Sequence, residues 1–315
     1  MHTTTPRAWR SPGKTPGIAI FLGLLIISGL CVTDIAEAAG YPQGGYPPTG
    51  HQPAGYPPTG YPLAREAGYQ DLRLNKAYFK GFLHDAGSVV TAPLSWRGSD
   101  WLKAALITGA AIAVAGEEDD LQHWVQTKRD DNTHFVADLA EPMGNGKYAL
   151  PALGALYLYG RLSGRDRARR TALLSFESVI ISCGITAAVK YLSHKHRPLE
   201  TSTDDISWEG PSISAAYVSF PSGHSTCAFA IGTVVASEYR DNRLIPPLAY
   251  AAAALCAMSR MHDNAHWLSD VIIGSTIGHF TARTIVGRHG GTGSGFSLVP
   301  SIRDDGPTLS LAYRL

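Results

Sequence analysis

Residues 225–259 read STCAFAIGTVVASEYRDNRLIPPLAYAAAALCAMS. Two apolar runs, 225–239 and 244–259, are nearly equal in length and flank the polar break Arg240-Asp241-Asn242-Arg243. Neither run alternates as a strand would. Each therefore predicts a helix of about 24 Å at 1.5 Å per residue. A break of that length returns the second helix along the first. The result is a helical hairpin whose free ends meet, with His224 at the entry and Arg260 at the exit.

Further runs of the same character occupy 101–116, 149–159, 171–192 and 268–286, separated by stops such as Gly116-Glu117-Glu118-Asp119-Asp120. Six helices in one bundle, an all-α domain over residues 70–290, is the architecture this pattern predicts. Charged residues make up 17% of the 315-residue chain, which suits helices buried in protein or facing lipid. A net charge of +1 gives no global attraction to nucleic acid.

The two ends have a different character. A basic start (Arg7, Arg10, Lys14), an apolar run from Ile18 to Val32 and the small residues Ala36-Glu37-Ala38 read as a signal peptide over 1–39. The alternative is an uncleaved anchor, for which the run is short against the roughly 20 residues of a span. Residues 40–69 contain the repeat GYPPTG and almost no aliphatic side chains, the composition of an extended, disordered linker. At the other end, FSLVPSIR (296–303) and TLSLAYRL (308–315) alternate around Asp304-Asp305-Gly306-Pro307, which predicts a β-hairpin within a tail over 291–315. Cys31 lies in the signal. Cys183, Cys227 and Cys256 sit in apolar helical runs and read as small core residues rather than a disulfide framework.

Reactive side chains concentrate in three clusters. In Lys190-Tyr-Leu-Ser-His-Lys-His-Arg197-Pro198 two cations lie seven positions apart, on one face if the helix persists; alone, the segment reads equally as a basic helix end. In Pro221-Ser222-Gly223-His224 a Ser-Gly pair opens a helix, and its free N–H groups and hydroxyl suit either an oxyanion or an ordinary N-cap. In Ser259-Arg260-Met-His262-Asp263-Asn-Ala-His266-Trp-Leu-Ser-Asp270, Asp270 stands one turn after His266 and can fix its tautomer. The hairpin brings His224 beside Arg260, and the loop 199–220 leads from Arg197 to Ser222. One end of the bundle thus collects cations, histidines, a carboxylate and a helix N-terminus, a composition suited to a phosphate-like oxyanion.

Lys190-x6-Arg197-Pro198, Pro221-Ser222-Gly223-His224 and Ser259-Arg260-x5-His266-x3-Asp270 together resemble the three-part signature of the type 2 phosphatidic acid phosphatase (PAP2) family, shared with bacterial acid phosphatases and vanadium haloperoxidases. The resemblance covers roughly residues 100–287. It implies that His266 attacks phosphorus to form a phosphohistidine, that Asp270 orients it, and that His224 protonates the leaving oxygen and then activates water. It implies that Lys190, Arg197, Ser222, Gly223 and Arg260 hold the phosphate oxygens, with no metal and no cofactor. The expected substrate is a phosphorylated lipid or a small phosphate ester. Two rivals remain: a vanadium-dependent haloperoxidase using the same cradle, and a PAP2-fold module without activity.

His262 and His266 also approach the zinc-binding pattern H-E-x-x-H. Asp263 is one methylene shorter than the required Glu, and zinc leaves Lys190, Arg197 and His224 unexplained. His262 therefore reads as a bystander or as a group that supports the site from behind. His194, Lys195 and His196 read as an exposed basic loop, Glu117–Asp120 as a solvated helix end, and 165–170 as a solvated loop. The export signal places the protein in the cell envelope: periplasmic, membrane-associated, or in the inner membrane with the site facing the periplasm.

Overall fold

The computed structural model describes residues 72–198, 208, 210–212 and 218–289, and the backbone of Gly295–Arg303 and Gly306–Arg314. The signal peptide and linker expected at 1–39 and 40–69 lie outside the described residues, as does the turn at 304–305.

The domain is all-helical. The six expected helices are Gly98–Ala115 (α2), Gly146–Leu162 (α5), Asp166–Ser193 (α6), Gly223–Glu238 (α7), Ile245–His262 (α8) and Leu268–His289 (α9). Among the described residues three more correct the expectation of six: Lys76–Thr91 (α1), Glu118–Thr127 (α3) and Asp131–Ala140 (α4). Polar signals rather than apolar runs define these. Asn75 caps α1 through Tyr78 N–H, and Asp130 and Thr133 form a reciprocal capping box for α4. Glu118, Asp119 and Asp120 fill the first turn of α3, where the helix dipole favours them. Beyond the helices, the backbone segments Gly295–Arg303 (β1) and Gly306–Arg314 (β2) pair antiparallel, Leu298 opposite Leu311.

The hairpin α7–α8 turns where the sequence places it. Asn242 Oδ1 accepts from the N–H groups of Leu244 (2.9 Å) and Ile245 (3.3 Å), and prolines in the first turn of α8 leave no helix donor wasted. Helix α6 begins earlier than expected, so 165–170 is not a solvated loop. Arg170 is buried against Glu238 of α7 at 3.0 Å, and Arg167 pairs with Asp241 and covers the Tyr239 ring. These contacts tie α6 to the turn of the hairpin.

Helices α7 and α9 are joined more closely than any side chain permits. A Cβ on Gly274 would stand 2.4 Å from Ser222 O, and one on Gly278 2.2 Å from Thr226 O. Through this contact Thr226 Oγ1 donates to Gly274 O (3.0 Å). Apolar side chains fill the space on either side: Phe229, Tyr250, Cys256, Val271 and Ile272 form one core, and Leu174, Val179, Cys227, Val234 and Ile285 the other. Gly278→Ala is expected to lower unfolding stability by about 1–3 kcal/mol through overpacking. Gly184→Ala, with open space around its Cβ, should instead raise it by about 0.5–1 kcal/mol, both read from denaturant or thermal unfolding.

Candidate active site

The turn between α8 and α9 sets the spacing of the third cluster. Asn264 adopts a left-handed conformation (φ 56°). Asn264 N–H donates to Met261 O (3.0 Å) and Ala265 N–H to Arg260 O (3.0 Å), which is a Schellman closure with Asn in place of glycine. His266 N–H also reaches Arg260 O (3.2 Å). The chain is folded back so that Arg260 leaves one helix as His266 approaches the next. Gln122 of α3 braces the turn, donating to Met261 O and Asn264 Oδ1, each at 2.7 Å.

Asp270 then fixes His266. Its Oδ2 accepts from Trp267 N–H (2.9 Å) and from the Ser219 hydroxyl, and lies 3.5 Å from His266 Nδ1. Its Oδ1 accepts from the Lys195 ammonium at 3.1 Å. The same ammonium donates to Glu118 Oε2 (2.7 Å) and Ser269 Oγ (3.0 Å), while Glu118 Oε1 accepts from Ser269 N–H (2.9 Å). Lys195 and Glu118 are fully buried, which corrects both the exposed basic loop and the solvated helix end expected from the sequence. His194 is also buried; it closes α6 in a left-handed conformation with its N–H on Lys190 O.

Helix α6 ends at Ser193, so Lys190 and Arg197 do not share a helix face as the unbroken-helix reading had it. Lys190 stands in the last turn and donates to Val218 O (2.9 Å) and Ser219 O (3.0 Å). Arg197 follows in the extended segment, and its charge reaches Lys190, His224 and His266. Ser222 caps α7, accepting from Ser225 N–H, and its own N–H donates to Asp270 O at 2.9 Å. Gly223 and His224 open the helix behind it. The structure thus brings every residue of the three clusters to one end of the bundle.

Glu141, in the 3-10 turn Glu141–Met143, is absent from the sequence reading. Its Oε1 lies 2.8 Å from His224 Nε2 and also accepts from Asn145 Nδ2 (2.8 Å). The turn fits because Gly144 has no side chain: a Cβ there would meet His224 O at 2.4 Å. Neither Glu141 nor Glu118 carries a spacing signal, because each meets its partner across a long stretch of chain.

Charge and burial set the protonation states. Burial is the largest influence on His266 and, with Lys190 and Arg197, holds it down at about 4 against the pull of Asp270. Burial pushes Asp270 up, but His266, Lys195 and Ser219 outweigh it and hold the carboxyl at about 2. Burial and then Arg260 hold His224 below the usual imidazole range, opposed by Glu141. At neutral pH His266 is therefore a neutral ring beside an ionised Asp270, in a field of fixed cations. A ring in that state has a free lone pair and is chemically able to act as a nucleophile toward a polyanion.

His262 does not join His266. It contacts Asp263 through Nδ1 (3.2 Å) and stacks on His134 at 5.8 Å between ring centres. Asp263 in turn pairs with Arg260.

Residues 171–290 match the family model described as the PAP2 superfamily. Over 61 residues it is 39% identical to the lipid A 1-phosphatase of Porphyromonas gingivalis, a match covering 19% of this chain and 14% of that protein. Two solved structures are similar. The Aquifex aeolicus LpxE crystal structure is 20% identical, with TM-score 0.42, covering 53% of this chain and 93% of that one. The transmembrane PAP2-type phosphatidylglycerolphosphate phosphatase from Bacillus subtilis is 16% identical, with TM-score 0.43, covering 67% and 93%. Glu118 and Glu141 lie before the family-matched segment.

Lys195→Met should destabilise the protein by about 3–5 kcal/mol, because it leaves Glu118 and Asp270 buried without their shared cation. Adding Glu118→Gln should recover part of that loss. Denaturant unfolding of the single and double variants checks the coupling.

Proposed function

We propose that the protein is a phosphatase of the cell envelope that hydrolyses a lipid phosphate or pyrophosphate, or a related phosphate monoester, through a phosphohistidine and without metal in the phosphoryl chemistry. The observation carrying this reading is the buried His266–Asp270 pair, with the charges of Lys190 and Arg197 acting on His266 and those of Arg260 and Arg197 acting on His224.

With its Nδ1 proton held by Asp270, His266 presents the Nε2 lone pair to phosphorus. The N–P bond forms as the P–O bond to the leaving alcohol breaks, and His224 gives that oxygen its proton. In the second step His224 takes a proton from water, the water oxygen bonds to phosphorus, and the N–P bond breaks. Lys190, Arg197 and Arg260, with the N–H groups at the start of α7, stabilise the charge on the equatorial oxygens. In the structure the Ser222 hydroxyl caps α7; its proposed contact with phosphate requires it to donate outward while still accepting from Ser225 N–H.

Three features favour a lipid substrate. An apolar groove of about 420 Å³, lined by Leu121, Trp124, Val136, Leu255 and Met258, runs up to Ser259 and His262 beside Arg260. Large apolar side chains also face outward along the helices, among them Leu83, Leu102, Leu106, Leu158 and Leu248. Helix α6 is long and apolar enough to cross a membrane. Arg167 and Asp241 meet at the end of the bundle away from the site, which under the positive-inside rule is the cytoplasmic end of an enzyme whose site faces outward.

Phosphate release from phosphatidate vesicles and from a small aryl phosphate tests the proposal. His266→Ala should fall to background on both and His224→Ala should lose about 10²–10⁴-fold, whereas His262→Ala should be much milder. Wild-type turnover by His266→Ala would overturn the reading; equal losses at His262 and His266 would return attention to a metal. The pH profile provides a second test. His266 must be unprotonated, so kcat/KM should fall as pH drops through about 4. His224 must be protonated, so kcat/KM should fall again as pH rises through a value below the usual imidazole pKa. The optimum is acidic, and Glu141→Gln, which removes a group that raises the His224 pKa, should move the alkaline limb to lower pH.

A further inference from the structure

A second group of ionisable side chains lies far from the phosphate cradle. Asp85 of α1, Glu177 of α6 and His289 at the end of α9 place one ligand atom each within 4.8 Å of the others. Asp85 is 3% exposed and Glu177 1%. The carboxylate of Asp85 is well served: Arg288 Nε donates to Oδ1, and His289 Nε2 lies 2.7 Å from Oδ2. That of Glu177 is not, because neither Oε1 nor Oε2 has a hydrogen-bond partner. A buried carboxylate without a donor is a costly arrangement, and its oxygens need either a proton or a cation.

We propose that Asp85, Glu177 and His289 form a structural site for one divalent cation of the zinc class. Two carboxylate oxygens and one imidazole nitrogen suit a borderline metal; calcium and magnesium would prefer oxygen alone. Bonds of about 2.0–2.2 Å in a tetrahedral arrangement place ligand atoms about 3.4 Å from one another, so Glu177 needs to close by at most little more than an ångström, while His289 Nε2 and Asp85 Oδ2, 2.7 Å apart, open by about 0.7 Å as the ion replaces the proton between them. Arg288 remains on the far oxygen of Asp85, where it orients the ligand. Arg288 and His289 keep a quarter and a tenth of their side chains exposed, which provides an entry path and a place for a water in the fourth position. Glu177 precedes Lys190 by thirteen residues, about 20 Å along α6, so the ion takes no part in phosphoryl transfer. It joins the first described helix to the two long helices that carry the catalytic end.

Metal analysis and thermal unfolding of the tag-free full chain in detergent, with and without added Zn²⁺, test the site. Wild type and His266→Ala should each retain about one equivalent of zinc and gain about 5–10 °C in Tm at hundredfold excess over Kd. Glu177→Gln and His289→Ala should lose both the metal and the gain. The inference is overturned if wild type neither holds zinc nor shifts, with Glu177→Gln then the more stable protein, as expected for a carboxylate that carries only a proton. It is equally overturned if both variants keep the metal and His262→Ala releases it, which would move the ion to the cluster of His134, His262 and Asp263.

Discussion

One ammonium group, enclosed on all sides, holds the site end of the bundle together. Lys195 comes from the extended segment after α6, Glu118 from α3, and Ser269 and Asp270 from α9, and all of them meet at its Nζ. A buried cation without partners would be costly, and so would two adjacent buried carboxylates; each supplies what the other lacks. The consequence for the chemistry is geometric. With Oδ1 held by Lys195 and Oδ2 held by Ser219 and Trp267 N–H, Asp270 cannot rotate, and the direction it gives to His266 is fixed before any substrate arrives.

Backbone contacts complete what the ammonium begins. Ser222 N–H reaches Asp270 O, and the glycines of α9 let that helix press against α7 closely enough for the contact to form. The start of α7 and the start of α9 are therefore one rigid unit. Arg260 joins it through the Asn264 turn and Lys190 through the carbonyls of 218 and 219. The groups that would surround a phosphate come from four separate segments, and each segment is fixed by main-chain bonds.

Much of this was legible in the sequence. The hairpin of α7 and α8 follows from two apolar runs and a four-residue break, and its closure alone places His224 near Arg260. Local spacing singled out Lys190, Ser222, His266 and Asp270, which the fold brings to one end of the bundle. What it could not locate were groups whose meaning lies in a distant partner. Glu118 looked like one member of an acidic run, and Lys195 like one of a basic run; only the fold buries them against each other. Glu141 gave no signal, because its role arises from the absence of a side chain at Gly144. The helices α1, α3 and α4 were missed for a related reason: caps and partners define them rather than continuous apolar runs.

The arrangement of the site at helix termini separates chemistry from thickness. Lys190, Ser222, Arg260 and Asp270 all stand within a turn of a helix end, and from there α6, α7, α8 and α9 run away together toward the Arg167–Asp241 contact. Whole turns added to or removed from those four helices in concert, at the far end, would leave every distance around His266 unchanged. The bundle of helices is in this respect an adjustable shaft beneath a fixed head, and one arrangement of side chains can be carried on bodies of different height.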